Sequence, residues 1–243
     1  MAMRELGKRL QTIVDYVKPD QRVADVGCDH AYVSMELAEK KNCTVIAMDI
    51  NEGPLSIAKE NIYGQKLDKK IEPRLSDGLK ELQSGEVDTV VIAGMGGHLI
   101  VDILRDGAAK LRPGMQLVLS PHSDLRLVRY SLRKQNIFIE QETCLSDAGK
   151  WYFVLNCTVG LSLPGEVPDE DAKADMMYGT WLPMHPTPEF LEYLEWEAKG
   201  LEDLIRSLEK QKTPAARARK GSLVKQLEES RQIRERLKEH GLE

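Results

Sequence analysis

Four carboxylates recur at the ends of apolar runs in the first third of the chain, and their spacing suits chemistry at one sheet edge. Asp25 and Asp29 flank Gly27 in the stretch V-A-D-V-G-C-D-H-A-Y, Asp49 ends the run Thr44 to Met48, and Asp77 follows Arg74-Leu75-Ser76. In an open α/β sheet, ligands bind outside the carboxyl ends of the strands, which is where these acids would gather. Gly27 stands where a G-x-G-x-x-G dinucleotide loop has its first glycine, yet Asp29 takes the second glycine's place and would repel a diphosphate. An acid-lined pocket favours a cation, and S-adenosylmethionine, with a sulfonium and an ammonium, meets that need. An acid about 20 residues beyond the loop serves a ribose in either cofactor class, so Asp49 discriminates only in combination with the others.

On this reading the ribose rests on Asp49 with Ile50 and Asn51 beside it, and the adenine lies near Asp77 and Gly78. The methionine end lies near Asp25, Gly27 and Ala93, with Cys28, Asp29 and His30 along the loop. Each residue also has a plainer role. Asp29 could cap the following helix, Asp49 could be a solvated strand end, and His30 could fix the turn instead of touching substrate. Cys28 reads as a small packing residue that lends backbone to the ligand. Gly94-Met95-Gly96-Gly97 closes the apolar run Asp88 to Ala93, and its glycines permit close approach of something flat, unless they mark only a tight turn.

These loops require strands alternating with helices. Apolar residues Leu6, Leu10, Ile13, Val14 and Val17 form one stripe of a covering helix over Glu5 to Val17. Strands follow at Arg22 to Gly27, Thr44 to Asp49, a weaker Ile71 to Leu75 interrupted by Pro73, Asp88 to Ala93, and Met115 to Ser120. Helices are expected at Ala31 to Lys41, from Leu55 to Ile62, briefly around Leu79 and Leu82, at His98 to Leu111, and at Leu125 to Gln135 with Ser123 as its cap. Ile137 to Leu145 and Trp151 to Val159 make a hairpin joined by residues 146–150. The expected fold is α/β: a Rossmann-like sheet closed by an antiparallel hairpin.

From Leu161 the composition changes. Residues 1–160 read as the catalytic domain, 161–188 as a Pro-punctuated connector, and 189–243 as a C-terminal antiparallel helical coiled hairpin. The first arm is acidic (Glu189, Glu192, Glu195, Glu197, Glu202, Asp203), and the second is basic (Arg217, Arg219, Lys220, Arg231, Arg234, Arg236).

Composition narrows the classes. At 243 residues the chain holds one full α/β domain and an appendage. The four cysteines form no C-x-x-C pair, which implies reduced thiols and no metal site. No long apolar run occurs, so a cytoplasmic protein with no membrane association is expected. The net charge of −5 argues against indiscriminate nucleic-acid binding but leaves room for a local basic face.

The motifs D-V-G-C-D-H-A-Y, S-D-G at Ser76 to Gly78 and A-G-M-G-G at Ala93 to Gly97, with the acidic Asp49 and the helical tail, resemble the bacterial tRNA (adenine(22)-N1)-methyltransferase family, the TrmK type. The resemblance covers nearly the whole chain. It implies methyl transfer from S-adenosylmethionine to N1 of an adenine in tRNA. Asp29, with His30 as a weaker candidate, would then serve the chemical step, the backbone of Gly94 and Met95 would hold the amino edge of the base, and Gly94, Met95 and Gly96 join Ala93 in lining the cofactor site. Arg126, Arg129 and Arg133 on the helix after Asp124 and the second hairpin arm would grip RNA. The competing readings are a methyltransferase of another RNA or a small molecule, a non-catalytic RNA-binding module, and a hairpin that serves only self-association.

Overall fold

The computed structural model describes residues 6–161, 174–211 and 213–239. The expected positions at Glu5, Pro164, Pro168 and His240 fall outside them. The chain divides into two compact units, Met1–Pro168 and Asp169–Glu243.

The first unit begins with α1 (Lys8–Tyr16) and alternates β1 (Arg22–Val26), α2 (Tyr32–Lys40), β2 (Thr44–Asp49), α3 (Glu52–Gly64) and β3 (Ile71–Leu75). It continues with β4 (Thr89–Met95), α4 (Gly97–Asp106), β5 (Gln116–Pro121), α5 (Leu125–Lys134), β6 (Ile137–Asp147) and β7 (Lys150–Val159). The seven strands stand in the order β3-β2-β1-β4-β5-β7-β6. The first five are parallel, and β7 runs antiparallel between β5 and β6. The order reverses between β1 and β4, the switch point at which open α/β sheets bind ligands.

The core explains the near-continuous apolar runs. Val91 and Val118 pack with residues of α1, α2 and α3, while their neighbours Val90, Ile92, Leu117 and Leu119 are also fully buried because strands covered on both faces have no polar side. Pro73 is tolerated because β3 is an edge strand.

Several expectations need correction. Leu79 and Leu82 are buried as expected, but turns carry them, because Gly78 and Gly85 take positive φ and Ser76 Oγ accepts the Glu81 amide. The helix after β4 ends at Asp106, and a short 3-10 turn, Ala108–Lys110, follows Gly107. The β6–β7 loop is only Ala148-Gly149, both at positive φ, as a type I′ turn demands. Ser123 does not cap α5; its hydroxyl bonds Asp124, the left-handed residue that starts the helix.

The second unit holds α6 (Ala174–Tyr178), α7 (Trp181–Met184), α8 (Pro188–Glu209) and α9 (Pro214–Glu239). Thr187 and Thr213 cap the two long helices by accepting the amides of Phe190 and Ala216, each followed by proline in the first turn. Ala198 and Leu201 of α8 pack on Leu223 and Leu227 of α9. Ion pairs Glu195–Arg234, Glu202–Arg231 and Glu209–Lys220 fix the antiparallel register. No helix among the described residues is long and apolar enough to cross a membrane.

Candidate active site

The strand register brings the acids together at the carboxyl end of the sheet, on the side of the switch point occupied by β1, β2 and β3. Asp25, near the end of β1, is buried, and its carboxylate accepts a 2.6 Å bond from Ser34 Oγ of α2. Burial pushes its pKa up to about 6; Ser34 opposes the shift and the nearby Asp49 adds to it. This is a carboxylate short of positive charge.

Asp49 is not a solvated strand end. It is 8% exposed, and its two oxygens accept the amides of Asp29 (3.3 Å) and Asn51 (2.9 Å), so it braces the turn after β1 against the turn after β2. Asn51 starts α3, and Ile50 between them is exposed.

The β1–α2 turn departs from ordinary backbone at alternate residues: Gly27 (φ 74°), Asp29 (φ 50°) and the buried Ala31 (φ 61°) are all left-handed. The amides of Gly27 and Cys28 both donate to Met48 O, and Cys28 O accepts from Ala31. Both backbone groups of Cys28 are thus engaged within the turn, and burial pushes its thiol far above the ordinary range. Asp29 caps nothing among the described residues, since α2 starts at Ala31 without a side-chain cap. Its side chain is 71% exposed, 3.6 Å from His30 Nε2. His30 fixes the turn through its carbonyl, which accepts from Asn61 Nδ2, and leaves its imidazole half-exposed, edge-on to Tyr32.

Ser76 donates its amide to Asp49 O and its hydroxyl to Gly78 O, setting the loop after β3. Asp77, paired with Lys80, borders a cleft of about 90 Å³ with Gly78, Leu99, Asp102 and Ile103. Leu79, Leu99 and Ile103 give it an apolar wall that suits a flat base.

At the end of β4 the ladder to β5 shifts register between Ala93 and Met95, with Gly94 left-handed (φ 80°). A side chain on Gly27 would meet Met95 Cε at 2.2 Å, so Met95 lies directly against the β1 loop and joins the two halves of the site. Gly94 and Gly96 are exposed.

Sequence reasoning missed the other half. Around Gly94 stand Arg9 from α1 and His122 from the end of β5; a Cβ at Gly94 would lie 3.9 Å from both Arg9 Nη1 and His122 Cε1. Arg9 lies over the Tyr152 ring at 5.1 Å, and His122 packs on the same ring at 5.7 Å. Burial lowers the pKa of His122, helped by Arg9 and Lys150. The Pro121-His122 pair after an apolar strand is the signal the sequence offers; Arg9 lies off the apolar stripe of the first helix and carries none.

The proposed RNA contacts divide. Arg133 is exposed and Arg126 half-buried on α5. Arg129 is not an outer residue: it is 3% exposed and holds the equally buried Glu142 through Nε (3.1 Å) and Nη2 (2.5 Å), with Phe153 over its guanidinium. Lys220, Arg231 and Arg234 pair with α8 instead of forming an outward track, whereas Arg217, Arg219 and Arg236 are exposed. A cavity of about 580 Å³ beside Arg22, Thr44, Lys70 and Ile71 opens at the amino ends of the strands, away from the acids, with Arg22 paired to Asp88. No group of three or more His, Cys, Asp or Glu among the described residues could hold a metal ion.

Comparison with known proteins decides the family. Residues 6–155 match the methyltransferase domain model. The chain is 32% identical to the tRNA (adenine(22)-N(1))-methyltransferase of Bacillus subtilis (strain 168), over 84% of this chain and 86% of that protein. It belongs to the tRNA (adenine(22)-N(1))-methyltransferase family. Among solved members of similar structure is the B. subtilis M1A22 tRNA methyltransferase TrmK, with TM-score 0.81 and 29% identity over 94% of this chain and 98% of that one. A Streptococcus pneumoniae protein solved in complex with S-adenosyl-L-methionine has TM-score 0.80 and 30% identity over 94% and 99%.

Proposed function

We propose that this protein transfers a methyl group from S-adenosylmethionine to N1 of adenine 22 in tRNA. The observation that carries the reading is the cluster of acids at the switch point, with the buried Asp25 at its base, joined through Met95 to an exposed glycine turn on which a base can lie. Bound there, the cofactor supplies an electrophilic methyl. Asp25, Gly27 and Ala93 would hold its methionine end, Asp49 with Ile50 and Asn51 its ribose, and Asp77 with Gly78 its adenine.

N1 of neutral adenine already carries an in-plane lone pair, so the protein's task is alignment and stabilisation of the cation that moves onto the base. Asp29, exposed on a left-handed turn, is the side chain suited to that electrostatic role, with His30 beside it. The backbone of Gly94 and Met95 would hold the amino edge, and Gly96 keeps the turn open. The base must leave its pair or stack to get there. Phosphates would meet Arg126, Arg133, Arg217, Arg219 and Arg236, in a cytoplasmic enzyme whose hairpin could also self-associate.

Labelled cofactor and transcribed tRNA, followed by nucleoside mapping, test this directly. N1-methyladenosine is expected at position 22 alone, and a transcript with guanosine there should remain unlabelled. Label in that transcript, or in another nucleoside, would overturn the assignment.

A further inference from the structure

Arg9 is the open question on the far side of Gly94. Its amide donates to Asp147 Oδ2 at 3.0 Å, so the tip of the β6–β7 hairpin holds the first turn of α1, and Gly7 leaves room for that carboxylate. The guanidinium rests on Tyr152, 5.1 Å from the ring centroid. Yet Nη1 is shut off from water and has no hydrogen-bond partner among the described residues. A charged donor left in that condition marks a site whose acceptor arrives with a ligand. The residue as a whole is half-buried, and Nη1 lies 3.9 Å from where a Cβ on the exposed Gly94 would stand.

We infer that Arg9, seated on Tyr152 beside His122, binds the phosphate next to the target adenosine and so positions the extruded nucleotide over Gly94. The inference rests on the tRNA reading above. A phosphate fits better than the reacting base, because methylation leaves a positive charge on the adenine and a guanidinium facing that edge would oppose the reaction. An anion between the two offsets both charges. Guanidinium geometry suits phosphate, and the ring beneath it limits the ways the fork can turn. Arg9 is thus a positioning residue that acts through the sugar-phosphate backbone.

The test combines protein and RNA changes. Arg9→Gln should lower kcat/KM for tRNA by about 30-fold or more, as expected when one partner of a charge-assisted contact is lost. It should leave the Kd of S-adenosylmethionine within about twofold and reduce the salt slope of log KM by about one unit. In the parent, a neutral methylphosphonate placed on the 5′ or the 3′ side of adenosine 22 should give a similar loss at one of the two sites, and Arg9→Gln should be indifferent to it. The RNA arm needs no protein variant, so it can overturn the inference even if Arg9→Gln unfolds. Full activity with both methylphosphonates overturns the inference. So does a loss in Arg9→Gln with unchanged salt slope, or one that follows melting temperature and cofactor affinity together. If the parent makes no N1-methyladenosine in unmodified tRNA, the functional reading itself falls, which is a different result.

Discussion

The two sides of Gly94 carry opposite charge. Toward β1, β2 and β3 stand Asp25, Asp29, Asp49 and Asp77, and burial raises the pKa of the deepest of these, Asp25, to about 6. Toward β5 and β7 stand Arg9 and Lys150, and there burial, with these two cations, lowers the pKa of His122. Asp147 on that side is engaged by the Arg9 amide. On the proposed reading, the acidic side takes the cationic cofactor and the basic side the polyanionic substrate, so that each half repels the other's ligand. The comparison predicts that variants of the acidic half change cofactor affinity and leave the salt dependence of tRNA binding alone, with the reverse for the basic half.

The largest effect should come from Asp49→Ala, which removes the ribose acid and releases the amides of Asp29 and Asn51. Cofactor affinity should fall by about 100-fold or more by calorimetry. Both residues are exposed and water can take over their amides, so the loss of the two bonds should cost about 0.5–1.5 kcal/mol each, or a few degrees in melting temperature for a chain of this size. An unchanged Kd would take Asp49 out of the cofactor site, and a changed salt slope for tRNA would break the division of labour.

Asp29→Asn comes next. Asn tolerates left-handed backbone as Asp does, and the Asp29 carboxylate makes no cap among the described residues, so the melting temperature should stay within about 1 °C. Turnover should drop about 10- to 100-fold at saturating substrates. A normal kcat with a large stability loss would make Asp29 a conformational residue only.

The acidic half was legible in the sequence because strand ends are local events: an apolar run followed by Asp and Gly announces both the element and its loop. The basic half was not, since Arg9 and Gly94 are separated by most of a domain and meet only after β7 inserts between β5 and β6. Charge at helical spacing misled for a related reason. Arg129 looks like its neighbours Arg126 and Arg133, but only the pairing of β6 shows that Glu142 waits beneath it. In the second unit the opposite charges of α8 and α9 were visible, yet their spacing along two separate helices hides the fact that they face each other.

A third test uses protons. Burial raises the Asp25 pKa from its ordinary value to about 6, so the apo protein loses stability from this group as pH rises from about 4 through 6, where the unfolded chain ionises and the folded one resists. A cofactor ammonium beside Asp25 reverses that preference. Binding should therefore strengthen by up to about tenfold between pH 5 and pH 7 and release a proton near pH 6, measurable by calorimetry in buffers of different ionisation enthalpy. Asp25→Asn should flatten the profile. A parent profile that is already flat would place the ammonium elsewhere.

The smallest expected effect separates exposed from paired cations on α9. Arg217 and Arg219 are exposed, while Arg231 and Arg234 are engaged with Glu202 and Glu195. If α9 joins the basic half in holding tRNA, replacing Arg217 and Arg219 by Gln should raise KM for tRNA about three- to tenfold and lower the salt slope by nearly two units, with cofactor affinity untouched. Arg231→Gln removes an exposed ion pair worth about 0–1 kcal/mol, so it should change stability little and the salt slope less than the double variant does. Equal slopes in the parent and the double variant would assign the hairpin to scaffolding or self-association, and sedimentation across protein concentrations would tell those two apart. The basic half would then begin and end with the residues around Gly94.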